Sequence, residues 1–156
     1  MWYRSCAILI VMASVMSSQA RSEELHDKWL KYYNGEWTWK ATDGNNGTVK
    51  FQLIPGANCL IVTETIPATG WIAVGTTGWQ SGKSALGGTG FDSDGSYLET
   101  VFTQITEDQA TGHRVRTSKG KETKEAWKVT RRSNDEYELV INMAGKDVTV
   151  VATRKK

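Results

Sequence analysis

No internal disulfide can form in this chain once its N-terminal stretch is set aside. The two cysteines are Cys6 and Cys59, and Cys6 lies inside an apolar segment with the marks of a cleavable leader. Cys6 follows Arg4-Ser5 rather than an apolar-small box, so a lipid-anchoring cleavage site is absent as well. Cys59, flanked by Leu60, Ile61 and Val62, reads as a small core residue rather than a reactive thiol. Only two histidines occur, His26 and His113, and neither has a Cys or His spaced to complete a metal site. Charge of one sign is also missing. Of 19 basic residues only Arg4 falls within the leader, which leaves a near balance against 17 acidic ones. There is no global field to recruit nucleic acid or a membrane surface. The densest basic stretch, Arg114 to Arg132, is interrupted by Glu122 and Glu125 and reads as the wet face of a hairpin.

Several chemical motifs are approached without being met. Gly82-Lys83-Ser84 resembles the end of a phosphate loop, but its first glycine would have to sit at Thr77, in a strand-turn-strand setting. Asp92-Ser93-Asp94-Gly95 lacks the glycine and glutamate positions of a calcium loop and reads as a hairpin turn. Asn46-Gly47-Thr48 is an N-glycosylation sequon in a eukaryotic source and a plain turn signal otherwise. A serine elbow of the Gly-x-Ser-x-Gly type does not occur. No cofactor is implied by any of these segments, and a binding role ranks ahead of an enzymatic one.

Long hydrophobic runs are scarce. The apolar run Cys6 to Met16 follows one positive charge, Arg4, and precedes Ser18 and Ala20, which suit a signal-peptidase site. Residues 1–20 are therefore expected to be a signal peptide, with cleavage before Arg21 and a secreted or periplasmic product. That run is too short to span a bilayer, which takes ~20 residues. The remainder, residues 21–156, is sized for one domain with a single core, and a monomer with no membrane span is expected.

Within that domain, Ser22 to Tyr33 has helical spacing: Ser22 can cap it, Glu23 and Glu24 suit its positive end, and Leu25, Trp29 and Tyr32 or Tyr33 share a face. Asn34-Gly35 ends it. From Glu36 onward the period falls to two and turn residues recur at short intervals, from Asp43-Gly44 through Lys119-Gly120 to Ala144-Gly145. About ten strands follow from this punctuation. Connections so short require antiparallel neighbours, and with no helices to cover an open sheet the meander is expected to close. The fold class is thus all-β, a single up-and-down antiparallel barrel with a short N-terminal helix. Eight of the 15 glycines fall between Gly70 and Gly95. Trp71 to Asp92 reads as two strongly coiled strands, with a flexible flap as the alternative.

The ends of this barrel carry a resemblance. Gly35-Glu36-Trp37 opens the first strand after the helix, and Arg154 shares parity with Val148, Val150 and Ala152 near the end of the last. This resembles the signature of the lipocalin and fatty-acid-binding (calycin) superfamily, in which a Gly-x-Trp tryptophan packs against an arginine from the final strand. The layout from Leu25 to the basic tail Arg154-Lys155-Lys156 is similar to that of exported bacterial lipocalin-like domains. The resemblance implies a barrel closed at one end by Trp37 and Arg154, and a cavity for a small apolar or amphipathic molecule at the other.

Candidate ligand-binding residues follow from the strand pattern. All but Trp2 of the seven tryptophans lie in the domain, and Trp39, Trp71, Trp79 and Trp127 fall on strands where they could line an interior. If Trp127 and Val129 point inward, so does Glu125. By the same parity Val62 brings in Glu64, and Val101 brings in Glu99. Interior carboxylates need partners, for which Arg116 and His113 are the nearest candidates; at a barrel mouth they would instead meet water. Three roles stay open: a carrier or sensor of a small, partly apolar ligand; an envelope protein-binding or structural module; and a barrel enzyme or haem protein using His113.

Overall fold

The computed structural model describes residues 24–80 and 85–156. The expected signal peptide, Ser22 and the Gly82-Lys83-Ser84 segment lie outside them. Helix α1 (residues 24–33) is followed by ten strands: β1 (Gly35–Ala41), β2 (Asn46–Leu53), β3 (Cys59–Ile66), β4 (Trp71–Gln80), β5 (Ala85–Asp92), β6 (Tyr97–Ile105), β7 (Gln109–Ser118), β8 (Lys121–Ser133), β9 (Glu136–Met143) and β10 (Lys146–Arg154). Each strand pairs antiparallel with its neighbours in sequence, and β1 pairs with β10, so the sheet closes on itself without an edge. This is the all-β up-and-down barrel with a short leading helix that the period-two pattern requires.

Inward positions alternate as expected on most strands. Trp37 and Trp39, Val49, Leu60, Val129, Tyr137, Val148 and Ala152 are buried, with Phe51, Val62, Leu139 and Val150 packed against them. Strands β4 and β5 pair along their length, from Ala73 opposite Asp92 to Gln80 opposite Ala85, so the described residues on both sides of this expected hairpin are paired strands. The middle of their inner surface carries few side chains, because Gly75 lies opposite Gly90 and Thr77 opposite Gly88.

Helix α1 covers one end of the barrel. Its residues Trp29, Leu30, Tyr32 and Tyr33 are buried against the strands, and its polar atoms are tied to the turns of that end. Trp29 Nε1 donates to the Thr106 carbonyl at 2.7 Å, and the Tyr32 hydroxyl donates to the carbonyls of Glu136 and Ser133 at 2.9 and 3.1 Å. Arg154, opposite Trp37 in the β1–β10 ladder, completes the closure. Its guanidinium lies 4.2 Å from the Trp37 ring and donates to the carbonyls of Tyr32 and Asn34, each at 2.6 Å. Gly35 (φ +133°) makes room for it, since a Cβ there would sit 2.7 Å from Arg154 Nη1.

Candidate functional site

The opposite end is open. A cavity of about 610 Å³ enters between the β1–β2, β3–β4 and β5–β6 turns, which contribute Asp43 and Asn45, Thr69 and Gly70, and Ser93 and Asp94. Its walls are mainly apolar: Trp39, Val49, Phe51, Leu139, Ile141 and Val150 come from four adjoining strands. A smaller apolar space of about 180 Å³ lies toward the helix end, bounded by Tyr33, Leu60, Phe102, Trp127 and Val129. Both spaces touch Phe51, Arg114, Tyr137, Leu139 and Ile141. The volume of the larger suits a drug-sized ligand, for which pockets run about 300–1,000 Å³.

Charged groups project into this apolar surround from β3, β5, β7 and β8. Arg114 lies directly opposite Glu125 in the β7–β8 ladder, and both its Nε (2.9 Å) and its Nη2 (2.5 Å) donate to Glu125 Oε2. Arg116, two residues on, donates from Nη2 to Asp92 Oδ2 at 2.8 Å, and the Asp92 side chain is wholly inaccessible to solvent. The other oxygen of Asp92 accepts from the backbone N–H groups of Asp94 and Ser96, each at 3.0 Å, so one carboxylate both shapes the β5–β6 turn and holds Arg116. Glu64, between Val49 on β2 and Ala73 on β4, also faces inward and lines the cavity. Unlike the other two carboxylates it has no hydrogen bond or ion pair among the described residues. Burial pushes its carboxyl above the usual carboxylate range, and the Arg114 guanidinium pulls the other way without overcoming it. Tyr137, buried beside it, has its hydroxyl raised by burial first and by the Glu64 carboxylate second.

Of the residues singled out in the sequence, Trp39, Trp71, Glu64 and Arg116 line the large cavity, Trp127 lines the smaller space, and Glu125 holds the arginine between them. Trp79 lies away from both, its ring 4.4 Å from that of His26 on α1. Two expectations are corrected. Glu99 points outward: Leu98 and Thr100 on either side of it line interior spaces, while Glu99 sits opposite Thr89 and Val115 on the outer face. Strand β6 carries apolar residues on both faces and a register shift between Phe102 and Gln104, so Val101 was a false guide to its inner side. His113 points outward too, opposite Val101 and Ala126, and is no partner for an interior carboxylate.

Arg114, Asp92 and Tyr137 are the site residues that sequence reasoning missed. Arg114 was within reach. A two-residue turn at Lys119-Gly120 pairs Ser118 with Lys121, and four steps back along each strand bring Arg114 opposite Glu125. Among the described residues no cluster of His, Cys, Asp and Glu could hold a metal ion, and no helix is long and apolar enough to cross a membrane.

The closed ladder and the cavity together define a ten-strand antiparallel β-barrel, capped at one end and hollow at the other. No family model matches the chain, and no curated protein matches it. Among solved structures it is similar to a redesigned β-barrel, b11L5F_LGL, with 17% identity and a TM-score of 0.42 over 81% of this chain and 95% of that one. It is also similar to a redesigned β-barrel, mFAP1, bound to DFHBI, with 16% identity and a TM-score of 0.41 over 81% of this chain and 97% of that one.

Proposed function

We propose that this is an exported, lipocalin-like carrier or sensor that takes a small, partly apolar ligand into the open end of its barrel. The observation that supports this reading is the cavity of about 610 Å³, mainly apolar in its walls, with charged side chains at its mouth and along β3 and β7. A barrel serving only as a scaffold gains from filling its interior, because packing to high density is itself stabilising. Here Gly75, Gly88 and Gly90 leave part of the β4–β5 wall without side chains, and a large cavity remains. Titration with a broad panel of apolar and amphipathic molecules should quench tryptophan fluorescence saturably, because Trp39, Trp71 and Trp127 line the interior. A dissociation constant no weaker than ~10 μM is expected. Export is tested separately, by N-terminal sequencing of secreted protein, which should begin at Arg21.

A second reading, a protein-binding module, is favoured by one surface feature. Phe91 (65% exposed), Val74 (51%), Ile72 (45%) and Ile61 (40%) lie on the outer face of β3 to β5, with Val74 directly opposite Phe91. If no member of the panel binds, this face takes precedence over the cavity.

A further inference from the structure

The ligand reading leaves the chemical class of the ligand open, and the charges inside the barrel narrow it. Four acidic side chains line the large cavity, Asp43, Glu64, Asp92 and Asp94, against two basic ones, Arg114 and Arg116. With all six ionised, that lining carries an excess of two negative charges in a chain whose net charge is +2. Each guanidinium is already paired with a carboxylate. Arg114 gives two hydrogen bonds to Glu125, and Arg116 is held by Asp92, with Asp94 at 3.5 Å. Of the four acids Glu64 alone accepts no hydrogen bond among the described residues, Asp43 being held by Asn45, and the surface it retains opens onto the cavity.

Glu64 also sits where a head group would have room. It lies opposite Ala73, beside the wall where Gly75 faces Gly90, and it borders the further space of about 140 Å³ under those glycines. The Tyr137 hydroxyl on β9, which the Glu64 carboxylate pushes up, likewise makes no hydrogen bond among the described residues. One unsatisfied donor points the other way, Arg116 Nε, which is buried without a partner among the described residues, but the charge of its guanidinium is already met by Asp92. The indole N–H groups of Trp39 and Trp127 are buried without partners, but the rings lie edge-on to Gly47 and Gly112 in the barrel wall.

Resting on the interior-ligand reading above, we propose that the ligand is an amphipathic amine whose ammonium group pairs with Glu64 while its apolar body lies along Val49, Phe51, Leu139 and Val150. An ammonium group donates up to three hydrogen bonds and accepts none, matching a carboxylate and a hydroxyl oxygen. It would also place a positive charge in direct contact with Glu64, which Arg114, bonded to Glu125, acts on only from a distance. A fatty carboxylate would meet two arginines already neutralised and a third, unpaired acid.

The test compares three ligands of one chain length, decylamine, decanol and decanoate, by calorimetry and tryptophan fluorescence near neutral pH, with wild type and Glu64→Gln. Decylamine should bind wild type at least about tenfold more tightly than decanol or decanoate, in line with a charge-assisted hydrogen bond in a partly buried site. Glu64→Gln, which keeps the shape and removes the charge, should lose most of that advantage and leave decanol within about threefold. Equal binding of all three, tightest binding of decanoate, or an unchanged decylamine affinity in the variant would overturn the amine assignment while leaving an interior ligand site in place. Binding of none would overturn both. If the variant does not fold, the ranking on wild type decides.

Discussion

Arg154 and Trp37 face each other across the seam that closes the barrel, guanidinium over indole at 4.2 Å. Trp37 is fully buried and its Nε1 donates to the Tyr33 carbonyl at 2.8 Å, while Arg154 reaches back to the carbonyls of Tyr32, Asn34 and Asn134. The pair therefore joins the first strand, the last strand and the end of α1. The indole supplies buried area, and the planar fork supplies several donors in fixed directions.

Truncation of this pair should separate the two contributions. Trp37→Ala should cost ~3–5 kcal/mol, as loss of a fully buried large aromatic does, read from chemical denaturation. Arg154→Lys keeps the charge but cannot bridge three carbonyls, and a smaller loss of ~1.5–3 kcal/mol is expected. If Arg154→Lys behaves like wild type, the fork has no structural role and α1 is held by its aromatic residues alone.

Much of this architecture was legible in the sequence, and the reasons are local. Val49, Phe51 and Leu53, or Tyr137, Leu139 and Ile141, alternate because a half-buried strand buries every second residue, and short turns leave only antiparallel pairing. The pairing of Trp37 with Arg154 was what the resemblance to the lipocalin and fatty-acid-binding signature implied, and the parity of Arg154 with Val148, Val150 and Ala152 agreed with it. The cavity was less legible. Nothing in β5 announces that Gly88 and Gly90 face inward, since glycine carries no polarity to reveal its face. Asp92 reads as a turn residue because it is one; its second carboxylate oxygen, which holds Arg116, belongs to tertiary structure. Glu99 misled because β6 has apolar residues on both faces, so alternation lost its meaning there.

Gly112 offers a test of how tightly the wall is packed. It lies opposite Trp127, and a Cβ added there would collide with the Val101 carbonyl oxygen and with the edge of the Trp127 ring. Gly47 stands in the same relation to Trp39 and the Thr65 carbonyl. Gly112→Ala should therefore destabilise by ~1–3 kcal/mol through overpacking. The double variant with Trp127→Phe should lose less than the sum of the two single changes, because the smaller ring relieves part of the clash. Strict additivity would show that the indole and the glycine do not constrain each other.

The pH dependence of stability should carry the mark of Glu64. The unfolded chain gives up this proton near the ordinary glutamate value, about 4.3, whereas the folded barrel holds it to higher pH. Between those two values the folded state binds more protons, so this residue's contribution to stability is intact at low pH and is lost as pH rises through the folded value. Glu64→Gln removes the effect. The variant should melt higher than wild type near pH 7 and match it near pH 3.5, and a difference that does not change with pH would show Glu64 ionising as freely as in water.

Arg114 and Glu125 form an ion pair whose two members should not be equivalent. Truncating one partner of a shielded pair leaves the other uncompensated, typically at a cost of ~3–5 kcal/mol, and the lower end applies here because Arg114 keeps a 26% exposed side chain. The third charge breaks the symmetry. In Glu125→Gln the freed guanidinium still has Glu64, on which it already acts, as an alternative partner. In Arg114→Met both Glu125 and Glu64 lose their nearby cation, and the pull that opposes the burial of Glu64 is gone. Arg114→Met should therefore be the more destabilising change at neutral pH. Its penalty should shrink as pH falls toward 4, because protonation of the two stranded carboxyls removes the charges that make the site costly. Glu125→Gln, which strands no carboxylate, should show a weaker dependence, and in it the folded-state pKa of Glu64 should move down as Arg114 turns toward it, measurable by carboxyl carbon NMR. Equal penalties with equal pH profiles would mean that Glu64 and Arg114 do not communicate, and that the cavity holds two independent charge sites.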